Sequence, residues 1–442
     1  MLRPRSSTLL CAVLILSSSA LAQNQTVPNQ TIPGPGNAQA VKTAQASPLV
    51  QSAYDFLIGQ TFLLKDSNLR YQTLDALANP NTCILHRANL KLADKQNIVA
   101  ELLAQGLLNR ADDTTFPGGL LAGVFPPVLH DPSACPQLPQ SFWSAPGSAF
   151  GSHHSYPGGL PVHESNNDTA DINLGEEYAH VYGSTDPATG TAALNILGIY
   201  LPHPDNPSPN ALKLDHDLLL GAPLWHDWAK SIVFQWNADG SEFLELSIGG
   251  SGAGLDNYGA AGDARTGGHH ILSIAESMLR GFSPAFIITQ ASAHSAPTSG
   301  NEFKVVNWIR AAAIIARLDL VAKGYLITDS HGNLRLPALR QTGQVDLLAA
   351  GQTNILTEYE LHNLSDADFT FSGPAVAADQ LVLAQLAPAF GYDPTQTAVY
   401  NNRFRNVVLS NYSAERLYTI YSHSGLDGVR NEIAKLHAAG KL

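Results

Sequence analysis

The sequence predicts a mainly α-helical protein carrying two short β-hairpins. Three observations support that class. Apolar residues recur at helical spacing in the longer stretches, as in "SPLVQSAYDFLIGQTFLL" and "LADKQNIVAELLAQGLL". Two stretches read as strand–turn–strand: "SIVFQWNADGSEFLELSI", with a turn at Asn237 to Gly240, and "GYLITDSHGNLRL", with a turn at Asp329 to Asn333. The other interruptions are rich in Pro and Gly, at 111–162 and in "GGSGAGLDNYGAAGDARTGG".

Taken in order, residues 1–22 combine a basic start, a short apolar run and an Ala-Leu-Ala ending, the pattern of a secretory signal. That run is too short for a membrane span, and no later stretch reaches the required length. Residues 23–47 hold Gln, Asn, Pro and Thr with little to bury, and read as a disordered leader. Residues 48–150 are helical and pass into the Pro/Gly-rich loop. Helices are expected over 163–183, 190–200, 212–232, 268–281 and 301–323. After residue 340 the pattern is helical to the end, and no chemical motif stands out there. The Gly-rich loop lacks the frame of a phosphate cradle and reads either as a lid near a site or as a plain surface loop.

Formal net charge is −12, and −14 without Arg3 and Arg5 of the signal. Cations are sparse and form no run, which argues against a nucleic-acid polymer as partner. A small phosphorylated substrate remains compatible, because one metal site overrides the global charge. Export places the chain in the periplasm or outside the cell, where Cys83 and Cys135 can form a disulfide.

Chemistry concentrates in two stretches. "LDHDLLLGAPLWHDWAK" is a buried helix ending in adjacent His226 and Asp227, with Lys230 one turn on. Such a pair can grip one metal, or two adjacent ones, from a single turn. "GSHHSYPGGLPVHESNN" sets His153 and His154 before a Pro-Gly-Gly turn and His163 after it, at a helix start. Further along, His269 and His270 open a helix, His294 closes an apolar run, and Asp319 lies in a mainly apolar helix where a bare carboxylate is costly.

The order His, His-Asp, His, His, Asp resembles the HD-domain metal-dependent phosphohydrolase superfamily. "HHSYPGGLPVH" is similar to the HHxxxGGLxxH opening of one branch, and "DLLLGAPLWHDWAK" to that branch's DLLLAGALLHDIGK. The resemblance covers about residues 150 to 325. It implies an HD-domain helical bundle at 151–325, with additional N-terminal helices and a hairpin and C-terminal helical extension at 326–442. It implies that His163, His226, Asp227 and Asp319 hold a first metal. Asp227 would bridge to a second, bound by His269 or His270 and by His294. His269 is favoured because small Ser273 lies one turn on. Lys230, His153 and His154 would serve the phosphate, as charge or as proton donor. Mixed His and carboxylate ligands suit Mn, Fe, Zn, Ni or Co.

The chain departs from that pattern at Pro223, which should kink the helix, and at Trp225 and Trp228, which could wall the site for a stacked ring. The implied activity is hydrolysis of a phosphomono- or phosphodiester by a metal-activated water. A non-catalytic HD-fold scaffold and an HD-type di-iron oxygenase are the alternatives.

Overall fold

The computed structural model describes residues 30–183, 214–252, 263–298, 300–339 and 345–442. The expected signal, the helix at 190–200 and half of the Gly-rich loop lie outside the described residues. Elsewhere the chain is mainly helical. Helices α1 (Asn37–Gln45), α2 (Pro48–Thr61), α3 (Ser67–Ala78), α4 (Leu92–Ala104), α5 (Asp112–Thr115) and α6 (Gly119–Val124) precede the site. Its frame is α7 (Gly159–Gly183), α8 (His216–His226), α9 (Lys230–Val233), α10 (Gly268–Leu279), α11 (Pro284–Ala291) and α12 (Glu302–Ala316). Then follow α13 (Thr357–Ser365), α14 (Phe369–Leu386), α15 (Thr397–Tyr400), α16 (Asn406–Tyr412) and α17 (Ala414–Ala438).

Local chemistry sets the helix starts. Ser47 accepts from the Val50 amide ahead of Pro48, and Ser283 does the same for Phe286 ahead of Pro284. Asp215 caps α8 through the amides of Asp217 and Leu218. From Leu218 to His226 every α8 residue is buried, as in a helix surrounded by others. Pro223 is accommodated three residues before α8 ends at His226.

Two hydrophobic cores result. The larger joins α2, α3, α8, α10, α11 and α12 around Leu57, Leu220, Trp225, Ile271, Ile288 and Ile309. The smaller joins α14, α16, α17 and the turn Asn401–Arg405 before α16, around Val376, Leu383, Phe404, Leu417 and Ile433, and takes in Tyr156 from the turn before α7. Helix α13 packs on α7, α8 and α11, so the C-terminal extension enters the larger body directly.

Three expectations need correction. Residues 30–47 are not a disordered leader: α1 packs there, Asn37 Oδ1 accepts from the Trp236 amide, and its Nδ2 donates to Pro139 O. The first expected hairpin is reduced to a single bridge, Trp236 to Glu242. Its distal residues, Ser247–Ile248, pair instead with Thr266–Gly267. Trp225 and Trp228 wall no site. Both are fully buried and donate to Thr73 Oγ1 and Ala76 O, with Arg280 over their rings. The second hairpin forms as expected, pairing Ile327–Thr328 with Leu334–Arg335. Cys83 and Cys135 form a disulfide across 52 residues, with Cα atoms 4.7 Å apart.

Candidate metal centre

Four histidines and two aspartates meet where α7, α8, α10, the end of α11 and the end of α13 converge. His163 projects from the second turn of α7, and the start of that helix requires glycine. A Cβ on Gly159 would stand 1.9 Å from the carbonyl oxygen of His154. His154 itself adopts a left-handed φ of 47°, a strained value for a residue with a side chain. His226 is the last residue of α8 and Asp227 its cap, so the pair sits where the helix opens toward the centre. His269 follows two glycines for a similar reason. A Cβ on Gly267 would lie 2.6 Å from His269 Cε1 and 2.7 Å from Glu245 Oε2. The small side chain of Ser273 lets α10 approach α8 closely, its hydroxyl accepting from the Ala229 amide at 2.9 Å.

The ring nitrogens divide by role. His226 Nδ1 lies 3.0 Å from Pro223 O, His269 Nδ1 2.5 Å from Glu245 Oε1, and His294 Nδ1 2.7 Å from Thr266 Oγ1. His163 Nδ1 stands 3.0 Å from Asp368 Oδ1, an ion-pair approach without hydrogen-bond geometry. The hydrogen-bonded partners of His226, His269 and His294 fix the tautomer and leave Nε2 free for a metal. All four Nε2 atoms face the carboxylates of Asp227 and Asp366.

The distances decide what the arrangement can hold. His163 Nε2 lies 3.1 Å from Asp227 Oδ2 and 3.3 Å from Asp366 Oδ1. His226 Nε2 lies 3.3 and 3.4 Å from the same two oxygens. Around one ion with bonds of about 2.1 Å, neighbouring ligand atoms stand about 3.0–3.4 Å apart, the edges of an octahedron or a tetrahedron. These four separations match that spacing and mark a first position. A second position is looser. His269 Nε2 is 3.0 Å from Asp227 Oδ1, and His294 Nε2 is 3.9 Å from Asp227 Oδ1 and from Asp366 Oδ2. Each aspartate thus turns one oxygen to each position. Both oxygens of Asp227 are buried and, despite the Lys230 ion pair, make no well-formed hydrogen bond, which leaves lone pairs for a metal ion.

The electrostatics agree. Burial would lower the His226 and His163 imidazoles, but the facing carboxylates hold both well above their ordinary value. Burial would raise Asp227, yet His226, Lys230 and His269 hold it well below the usual range. Asp366 is held down in the same way, first by His226. Such strong proton–carboxylate pairing is what a metal displaces when it binds.

Of the expected site residues, His163, His226, Asp227, His269 and His294 come together. Asp319 does not. Helix α12 stops at Arg317, which takes a left-handed φ of 59°, and Asp319 caps the exposed turn beyond through the amides of Val321 and Ala322. Asp366, at the end of α13, takes its place. His270 also stands aside: its ring stacks on His294 at 4.0 Å and its Nε2 meets Ala291 O. Burial, with His269 next, pushes His270 down to about 3, so it stays neutral.

Lys230 opens α9, is buried, and ion-pairs with Asp227. Burial would lower it, but Asp227 and Asp366 keep it charged. His153 Nε2 lies 3.5 Å from Lys230 Nζ, and burial followed by that ammonium holds its pKa well below the ordinary value. His154 lies beside His163, its ring 5.3 Å away, but pairs with other carboxylates than Asp227 and Asp366. Its Nε2 meets Asp368 Oδ2 at 2.8 Å and Glu415 Oε1 at 3.5 Å, its Nδ1 meets Tyr156 Oη, and its amide donates to Ser372 Oγ. It belongs to the joint with the C-terminal helices.

Sequence reasoning missed Asp366, Asp368 and Glu245. A signal was present in "LHNLSDAD", where Asp366 stands one helical turn after His362. No family model, no curated protein and no solved structure matches the chain. The buried His and Asp groups, which could hold a metal ion, stand on their own geometry.

Proposed function

We propose that this protein is an exported, HD-type hydrolase of phosphate esters that works with a pair of divalent transition metals. The observation that supports this most is the straddling geometry of Asp227 and Asp366, each offering one oxygen to either histidine pair. His163, His226, Asp227 and Asp366 would hold the first ion; His269, His294 and the remaining aspartate oxygens would hold the second. Two ions so placed lower the pKa of a water and polarise a phosphoryl oxygen.

The remaining groups have consistent roles. Lys230 offers a buried, charged ammonium to an anionic phosphoryl group. His153, held neutral by burial and by that ammonium, presents Nε2 to Lys230 and helps to place it. The first position is sealed from solvent, whereas His294 is 21 % exposed, so a substrate approaches from the second side. The disulfide is compatible with an oxidising compartment outside the cytosol.

Metal analysis of protein purified without chelator, followed by a panel of phosphomono- and phosphodiesters, tests this reading. Two metals per chain and turnover of at least one ester are expected, both lost in His226→Ala/Asp227→Ala. Full metal content in that double variant overturns the centre. Two bound metals with no turnover anywhere in the panel overturn the activity.

A further inference from the structure

The first metal position has one more neighbour that neither the motif nor its resemblance assigns. Asn167 lies one turn after His163 on α7 and is fully buried. Its Nδ2 stands 3.2 Å from His163 Nε2, 3.3 Å from His226 Nε2 and 3.1 Å from Asp366 Oδ1. These separations repeat the ligand-to-ligand spacing of the first position itself. The head of the amide therefore stands at a corner of the same polyhedron as the two imidazoles and Asp366.

That corner suits an oxygen better than a nitrogen once a cation is present. An amide NH2 has two hydrogens and no lone pair for a metal, and of its three close neighbours here only Asp366 Oδ1 is an acceptor in every tautomer. The Oδ1 atom, meanwhile, is buried without a partner. A half-turn about the Cβ–Cγ bond exchanges the two atoms with little change of shape. It places the unpartnered oxygen at the corner, where a cation draws it.

Resting on the metal reading above, we propose that the Asn167 Oδ1 atom is a fifth protein ligand of the first metal ion. The amide serves the empty site as a hydrogen-bond donor and the loaded site as an oxygen ligand. The first position then holds its ion with two nitrogens and three oxygens, which suits Mn, Fe or Co better than a closed four-coordinate zinc site.

Co2+ titration of the metal-free full-length chain, followed by visible absorption, tests this. Asn167→Leu should weaken the tighter Co2+ ion by at least about tenfold, the scale seen when a metal site loses a supporting contact. Its absorption should also intensify, because Co2+ absorbs more strongly as its coordination number falls. The weaker ion should keep its wild-type affinity. Asn167→Asp separates ligand from donor, since it keeps the oxygen and removes the N–H. As a ligand it holds the tighter ion at least as well as wild type; as a mere donor to Asp366 its loss weakens binding. The proposal is overturned if Asn167→Leu binds both ions with wild-type affinity and spectrum, whatever its Tm, or if Asn167→Asp weakens the tighter ion. A wild-type chain that takes up no Co2+ overturns the metal centre as a whole, a result distinct from either.

Discussion

The two ends of the centre are built from the same residue types but differ in finish. At the first position the imidazoles of His163 and His226 are at most 1 % exposed, and four Nε2-to-oxygen distances fall between 3.1 and 3.4 Å. At the second, His294 is 21 % exposed and stands 3.9 Å from both carboxylates. The outer supports differ as well. Asp368, which stands behind His163, lies at the start of α14 and also holds His154, whereas Glu245, which backs His269, sits on a partly exposed segment. A burial-matched, pre-spaced site binds tightly because little must be reorganised. A loose, open one binds weakly and leaves room for a substrate.

The largest test removes what the two ends share. Asp227→Ala should abolish both bound metals and all turnover, read by elemental analysis; retention of either ion would show that the bridge is not needed. Next comes Asp366→Ala, expected to empty the first position and weaken the second. Asp319→Ala, by contrast, should match wild type in metal content and Tm, because that carboxylate is exposed and capped on a turn. Reversed results would return the ligand role to Asp319.

A chelator titration separates the two ends. Metal should leave in two steps, and His294→Ala should remove only the weaker step while His163→Ala removes the tighter. A smaller effect is expected from the outer carboxylates. Asp368→Asn and Glu245→Gln should each cost about 10–100-fold in affinity, the first at the tight ion and the second at the weak one. Equal effects of both variants on one ion would show that the ends are not independent.

The smallest effect lies outside both ends and serves as their control. Glu242 is buried with neither oxygen partnered, and burial pushes its carboxyl up from 4.5 to about 8. A folded-state pKa above the unfolded one stabilises fully below pH 4.5, and that stability is lost as pH rises through about 8. The Tm of the metal-free protein should therefore fall from pH 5 to pH 8. Glu242→Gln should shallow that fall without moving either metal affinity, and an unchanged slope would assign the pH dependence elsewhere.

How much was legible in the sequence follows from the range of each signal. His163 and the His226-Asp227 step announce themselves because turn glycines and helix spacing are local. The choice of His269 over His270 also has a local basis, in Ser273 and the glycines that make room for Glu245. Asp319 misled because "IIARLDLVAK" continues a helical pattern that the left-handed Arg317 in fact ends. Asp366 was passed over because it lies 139 residues beyond Asp227, in a region read for its helix spacing alone. Its chemistry appears once α13 packs on α7 and α8.

By itself, then, the sequence determined a mainly helical chain, the helix that ends in His226-Asp227, and the Pro-Gly-Gly turn that aims His163. Helix periodicity and the absence of a Cβ act within a few residues, so they can be read in order. Tertiary structure alone decided which aspartate closes the centre. It also turned Trp225 and Trp228 into core and His154 into a joint with the C-terminal helices. Those outcomes depend on which faces meet when helices distant in sequence pack, and a burial cost shared among distant elements leaves no local pattern to read.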